Sequence, residues 1–163
     1  LVEMMAQLPE YHLFLAGKEQ GNYGQLLRNL IARHRLSNVT MLGPVSTEDK
    51  ARLFRDCRAF LFPSLSEGFG LPVVEAMCFG KPTFLSRLTS LPEVGGEAAY
   101  YFDELHPAQM AQTVRAGLAD FDRQRSNREA AIRANAGRFD WDKTARAFID
   151  YYLSILQIKS IEL

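Results

Sequence analysis

The chain has 163 residues, 47% of them hydrophobic, enough for one domain with a real core. Its 19 basic and 19 acidic side chains cancel, which excludes a general nucleic-acid binder and a polybasic membrane anchor, since both need a cationic excess. Aromatics at 11% exclude a disordered chain, and no uncharged run, Ala59–Leu65 among them, is long enough to cross a bilayer.

Leu1–Leu8 reads as the end of an amphipathic helix, halted before Pro9. The stretch lacks the basic start and long apolar run of a signal peptide. With Leu rather than Met in first place, it reads as part of a longer protein. Tyr11–Ala16 is a compact apolar run stopped by Gly17, which predicts a buried strand. Asn22–His34 spaces Tyr23, Leu26, Leu27, Leu30 and Ile31 as a helix does. Val39–Leu42 predicts a strand ended by Gly43-Pro44. Thr47–Cys57 predicts a helix, with Ser46 or Thr47 as N-cap and Glu48 and Asp49 at its positive end. Ala59–Phe62 is a strand, Leu71–Phe79 a helix with Pro72 in its first turn and Gly80 at its stop, and Thr83–Ser86 and Ala99–Phe102 are strands. Beyond Pro107 the pattern is helical: Gln109–Phe121, Arg125–Ala136 and Trp141–Leu156, the last capped by Asp140. Gln157–Leu163 reads as a frayed tail.

Strands alternating with helices imply parallel pairing through right-handed crossovers. Strands that are apolar throughout imply helices on both faces. The expected fold is an open, Rossmann-like α/β sheet. Cys57 and Cys78 are the only cysteines and form no C-x-x-C pair, so they are expected as reduced core residues of a cytosolic protein.

In such a sheet, ligands bind beyond the carboxyl ends of the strands. The richest loop there is Pro63-Ser64-Leu65-Ser66-Glu67-Gly68-Phe69-Gly70, leading into Leu71-Pro72-Val73-Val74-Glu75. Gly68 and Gly70 allow close backbone approach to a ligand. The free N–H groups at the helix start form an anion site suited to phosphate. Glu67 and Glu75 flank it. A carboxylate beside a phosphate is repulsive unless it binds something else, and paired neutral hydroxyls of a sugar or ribose suit it. The plain alternative makes Glu75 a first-turn charge favouring the helix dipole and Glu67 a loop residue.

The run from Glu67 to Glu75 resembles the E-x7-E motif of the family-4 retaining glycosyltransferases of GT-B fold, with Gly-Phe-Gly-Leu-Pro inside it. Phe60–Ser64, Glu75-Ala76-Met77, Gly80-Lys81-Pro82, Ser90–Val94, Gly96–Ala99, Leu15-Ala16-Gly17, Val39–Ser46 and Phe139-Asp140-Trp141 match further signatures in order. The resemblance implies the C-terminal, nucleotide-sugar-binding half of such an enzyme, with 1–163 as a single domain. It implies that Glu75 holds the ribose hydroxyls and that Glu67, the catalytic carboxylate, contacts the donor sugar. Phe69, Gly70 and Leu71 would offer backbone N–H groups to the sugar and diphosphate, with Gly68 beside them in the donor site. The Gly43–Val45 loop would lie near the nucleobase, with Gly17 and Lys18 on the same rim. No cofactor or metal is implied. The Arg and Lys that grip the diphosphate, the first strand of the sheet and the acceptor domain would all precede Leu1, so this piece alone should bind donor weakly and not turn over. The implied acceptor is a glycan or lipid-linked glycan. The implied setting is bacterial cell-surface polysaccharide synthesis in the cytoplasm, at or near the inner membrane face.

Two rivals stand beside this reading. Gly68-Phe69-Gly70 supplies two glycines of a G-x-G-x-x-G, and Arg87 could read a 2′-phosphate, giving an NAD(P)-binding domain. Against it, Val73 replaces the third glycine and the motif does not follow a first strand. A non-catalytic relative that keeps the cleft as an interaction domain is the other. His12, in a strand, and His34 and His106, near helix ends, are too scattered for a metal site. Ser90 and Glu93 have the spacing of a capping box, Trp141 reads as a core anchor, and Arg123, Arg125 and Arg128 read as a solvated face.

Overall fold

The computed structural model describes residues 1–19 and 21–156; the tail reading at Gln157–Leu163 lies outside them. The chain opens in a 3-10 turn, Glu3–Gln7, rather than an α-helix. Met4, Met5 and Leu8 are buried beneath it. Asn38 holds the turn in place by donating to the carbonyls of Met5, Leu8 and Tyr11 at 3.0–3.1 Å. Strands and helices then alternate as β1 (Leu13–Ala16), α1 (Tyr23–Arg33), β2 (Val39–Gly43), α2 (Thr47–Asp56), β3 (Phe60–Phe62), α3 (Leu71–Cys78), β4 (Thr83–Ser86), a short α4 (Leu91–Gly95) and β5 (Tyr100–Phe102). Three helices finish the chain: α5 (Pro107–Arg123), α6 (Arg125–Ala136) and α7 (Trp141–Leu156). Ser46, not Thr47, caps α2, its hydroxyl accepting the Asp49 N–H at 3.0 Å.

All pairing is parallel, as α/β alternation requires. The strands form two hydrogen-bonded sets, β1-β2 and β3-β4-β5. Between the free edges of β1 and β3 lies an apolar slot of about 700 Å³. Leu13, Leu15, Phe60 and Phe62 line its edges, Met5, Leu8, Val114 and Leu118 one side, and Leu53 and Phe54 another. Each edge strand there presents unpaired backbone groups. The slot is where the sheet is interrupted.

The core sits on either side of β4. Phe84 joins the cluster of Met4, Leu8, Phe102, Val114 and Leu118, while Leu85 joins Val73, Met77, Leu91, Val94 and Ile132. Gly117 lets α5 approach the sheet, since a Cβ there would come within 2.6 Å of the Phe84 ring. Pairing of α3 with α6 covers the second cluster, and Arg133 of α6 donates to the carbonyl of Phe79 at 3.0 Å just past the end of α3.

Several expectations need correction. Burial on both faces holds for β4 but not for β1, whose Phe14 is 54% exposed. Cys57 is half-buried and Cys78 exposed, both as free thiols. Burial pushes the Cys57 thiol up. Trp141 is 77% exposed and α7 buries none of its residues, so this tryptophan does not anchor the core. Arg128 is not merely solvated. Its guanidinium lies over the Tyr100 ring and donates to the Tyr100 hydroxyl at 3.0 Å. His12 precedes β1 rather than lying within it, and its Nε2 is 2.8 Å from the Thr40 hydroxyl.

Candidate functional site

The carboxyl ends of the strands bring their loops to one rim. The Gly17 N–H after β1 donates to the Gly43 carbonyl at the end of β2, at 2.9 Å. This joins the Gly17-Lys18 segment to the Gly43–Val45 loop. Gly17, Lys18, Val45 and Lys50 share the mouth of the slot. The loop after β3 stands beside them, and Pro72 of α3 reaches the same cavity. Glu67, Gly68, Phe69, Gly70 and Leu71 do not line it. They form a separate shelf at the start of α3.

That shelf is held by local chemistry. The hydroxyl of Ser64 donates to Glu67 Oε1 at 2.8 Å. The Glu67 N–H donates to the Thr89 hydroxyl at 3.1 Å. Ser90 donates to the carbonyls of Glu67 and Phe69, at 3.3 and 2.9 Å. Ser90 itself has helical backbone angles and caps nothing with its side chain. The S-x-x-E spacing therefore marks a clamp on the preceding loop rather than a capping box. The Phe69 ring stands edge-on to Phe139, with centroids 5.3 Å apart.

Gly70 closes the loop as the N-cap of α3, with φ of 100° and ψ of 45°. L-residues with a side chain rarely adopt that geometry. A Cβ here would also stand 3.0 Å from a methyl group of Leu91. The backbone N–H groups of Gly68, Phe69 and Gly70 find no acceptor among the described residues. They stand at the positive end of α3, where donors and dipole favour an anion.

Glu75 is the fifth residue of α3, past the first turn, so a simple dipole-favouring role does not describe it. It lies one turn on from the half-exposed Leu71, on the face that the buried Val73, Val74, Ala76 and Met77 leave free. Its Oε1 accepts from Lys50 Nζ of α2 at 2.6 Å, and both side chains are about two-fifths exposed, 41% and 39%. The structure thus links the Glu75 end of the motif to the slot-mouth residues through Lys50. Lys18 makes no ion pair among the described residues. Arg87 pairs with Asp103, Nε to Oδ1 at 2.8 Å, with its guanidinium over the Tyr101 ring. Among the described residues, no group of three or more His, Cys, Asp or Glu is placed to hold a metal ion.

Sequence reading missed three residues here: Lys50, Ser64 and Thr89. Thr89 is in the left-handed region at φ 51°, and nothing in its sequence neighbours signals that. Lys50 carries a weak signal, as a basic residue early in a helix that begins at the strand rim.

The fold is a Rossmann-like α/β domain that matches solved GT-B glycosyltransferases. The family described as "Glycosyl transferases group 1" matches residues 1–135, and the chain belongs to that family. It is 33% identical over 149 residues to the serotype-specific mannosyltransferase WbdA of Escherichia coli, covering 90% of this chain and 18% of that protein. It is 36% identical over 143 residues to the O-antigen chain mannosyltransferase B of the same organism, covering 87% of this chain and 37% of that one. The chain therefore spans well under half the length of these relatives. Among solved structures, a glycosyltransferase from Rickettsia africae superposes with a TM-score of 0.87 at 18% identity, over 98% of this chain and 44% of that one. Anabaena Alr3699/HepE in complex with UDP and glucose does so with a TM-score of 0.81 at 23% identity, over 94% and 43%. These likenesses extend to the fold.

Proposed function

We propose that this chain is the donor-binding half of a longer glycosyltransferase that moves a hexose from a nucleoside diphosphate sugar to an acceptor hydroxyl with retention. The observation that carries the reading is the shelf: two carboxylates bracketing unpaired N–H groups at a helix N-terminus. Glu75 takes the ribose hydroxyls, and Glu67, oriented by Ser64, takes hydroxyls of the donor sugar as the catalytic carboxylate. The N–H groups of Gly68, Phe69 and Gly70, with that of Leu71, face the diphosphate. Charge grows on the diphosphate as the glycosidic bond breaks, and donors fixed in advance stabilise it at that moment. Gly17, Lys18 and Val45 form the nucleoside side of the cleft. No metal is required, because helix N–H groups and basic side chains balance the diphosphate. We place the acceptor glycan on the part of the protein that lies outside this chain. The relative named O-antigen chain mannosyltransferase B supports a cell-surface polysaccharide as the product class.

The test is binding to the full-length transferase, measured by ligand-observed NMR and calorimetry. The panel is UDP, GDP, ADP, NAD and NADP, with and without EDTA. One nucleoside diphosphate should bind, EDTA should not change it, and Glu75→Gln should weaken it about 10- to 100-fold. That is the effect expected for lost hydrogen bonds to a charged acceptor, roughly 1.5–3 kcal/mol. Binding of NAD or NADP alone would overturn the reading in favour of a dinucleotide domain. Absence of binding across the panel would overturn it in favour of an interaction domain. Loss of binding with EDTA would remove the metal-free part.

A further inference from the structure

We propose that Lys50 is a positioning residue that sets the ribose specificity of the site by holding the Glu75 carboxylate. The inference rests on the reading of Glu75 as the ribose acceptor. Lys50 and Glu75 lie on different helices, 25 residues apart, and meet at 2.6 Å. This is a short, charge-assisted contact. Its value as a structural brace is small, because an ion pair this exposed contributes little net stability. Its location is what gives it a purpose. Lys50 stands at the slot mouth with Gly17, Lys18, Pro44 and Val45, the loops assigned to the nucleoside.

The hydrogen-bond arithmetic fits. An ionised carboxylate has about four acceptor positions, whereas an ammonium has only donors. Lys50 uses one position on Oε1, and Oε2 has no partner among the described residues. The carboxylate is therefore tethered by one oxygen and still able to accept from two vicinal hydroxyls. A Glu side chain without this tether would have to be ordered by the ligand itself, which costs affinity through lost rotamer freedom. Lys50 thereby acts on the ribose through Glu75, without touching the reacting bond.

The test compares Kd values of UDP, GDP or ADP, whichever binds, with that of its 2′-deoxy counterpart, in the full-length transferase. The unmodified protein should lose about 10-fold in affinity when the 2′-hydroxyl is removed. Lys50→Met should weaken the ribonucleotide about 10-fold and shrink the 2′-deoxy penalty to about threefold or less. Lys50→Arg should restore both to within about threefold of the parent. In turnover, Lys50→Met should raise the donor KM with kcat nearly unchanged. A Lys50→Met protein with unchanged affinity, or with weaker affinity and an intact 2′-deoxy penalty, would overturn the proposal. Glu75→Gln separates the two layers. If it abolishes the penalty while Lys50→Met preserves it, only the role of Lys50 falls. If Glu75→Gln leaves affinity and penalty untouched, the ribose reading falls and the role of Lys50 falls with it.

Discussion

The β3-β4-β5 half and the β1-β2 half are built from the same strand–helix alternation, yet they bury it differently. Every residue of β4 is buried, because β3 and β5 cover its edges while α3 and α4 on one face and α5 on the other cover the rest. In β1 only Leu13 is buried, and Phe14 lies exposed against the His12 ring. One edge of β1 is paired with β2 and the other faces the slot. An apolar run therefore states that a strand needs cover, and the position in the sheet decides how much it receives. The shelf stands on the half that holds the fully buried β4. The slot-mouth residues stand on the half that is less covered.

The largest expected effect separates the halves directly. Phe84 is fully buried and stacks on Tyr100 and Phe102. Phe84→Ala should cost about 3–5 kcal/mol in urea unfolding, from lost burial plus the cavity left behind. Phe14→Ala, the same truncation at a half-exposed site, should cost under about 1 kcal/mol. Equal losses would mean that Phe14 is covered as well as Phe84, and the comparison would break.

A smaller effect tests the shelf itself, through two glycines of one loop. Gly70 has φ of 100° and its Cβ would press on Leu91. Gly70→Ala should cost about 1–3 kcal/mol of stability and weaken nucleoside diphosphate binding, because the N–H groups at the start of α3 shift. At Gly68 an added Cβ meets nothing within 4 Å, and φ is not positive. Gly68→Ala should stay within about 0.5 kcal/mol of the parent in stability. Urea midpoints and ligand titration of both variants decide it. A Gly68 variant as damaged as the Gly70 one would show that the loop is strained throughout rather than at its cap.

What could be read from the residues follows the same division. The alternation, the strand positions of Thr83–Ser86 and the helix of Arg125–Ala136 were legible because local periodicity and Gly or Pro punctuation fix them. The Glu67 to Glu75 run was legible because its turn chemistry is local. Trp141 was misread because amphipathicity says which face of α7 is apolar and not what lies against it. The break between β1 and β3 was not legible, since strand order is a non-local property. Ser90 was misread for a related reason: its partners, the Glu67 and Phe69 carbonyls, lie more than twenty residues back in the chain. The Lys50–Glu75 pair needs two helices to pack before it exists at all.

The smallest effect concerns α7, a helix with no buried residue, and it probes how independent a weakly covered helix is. Asp140 caps it, its Oδ1 accepting the N–H groups of Asp142 at 2.8 Å and Lys143 at 3.1 Å. The Lys143 N–H, and then that of Asp142, hold the Asp140 carboxyl below the usual carboxylate range. A depressed pKa means that the ionised form favours the folded cap. Its contribution is therefore complete above the unfolded value, near pH 4, and is lost as pH falls through the lower folded value. Because α7 buries none of its residues, that loss should stay local. Backbone chemical shifts of 141–156 should move toward coil in acid while those of β4 remain folded. Asp140→Ala should give the acid-like shifts at neutral pH. Asp140→Asn, which keeps a capping oxygen that does not titrate, should hold the helix with the acid step removed. If α7 and β4 instead melt in a single acid step, the terminal helix shares the cooperativity of the buried half, and its exposure in this chain is no guide to its stability.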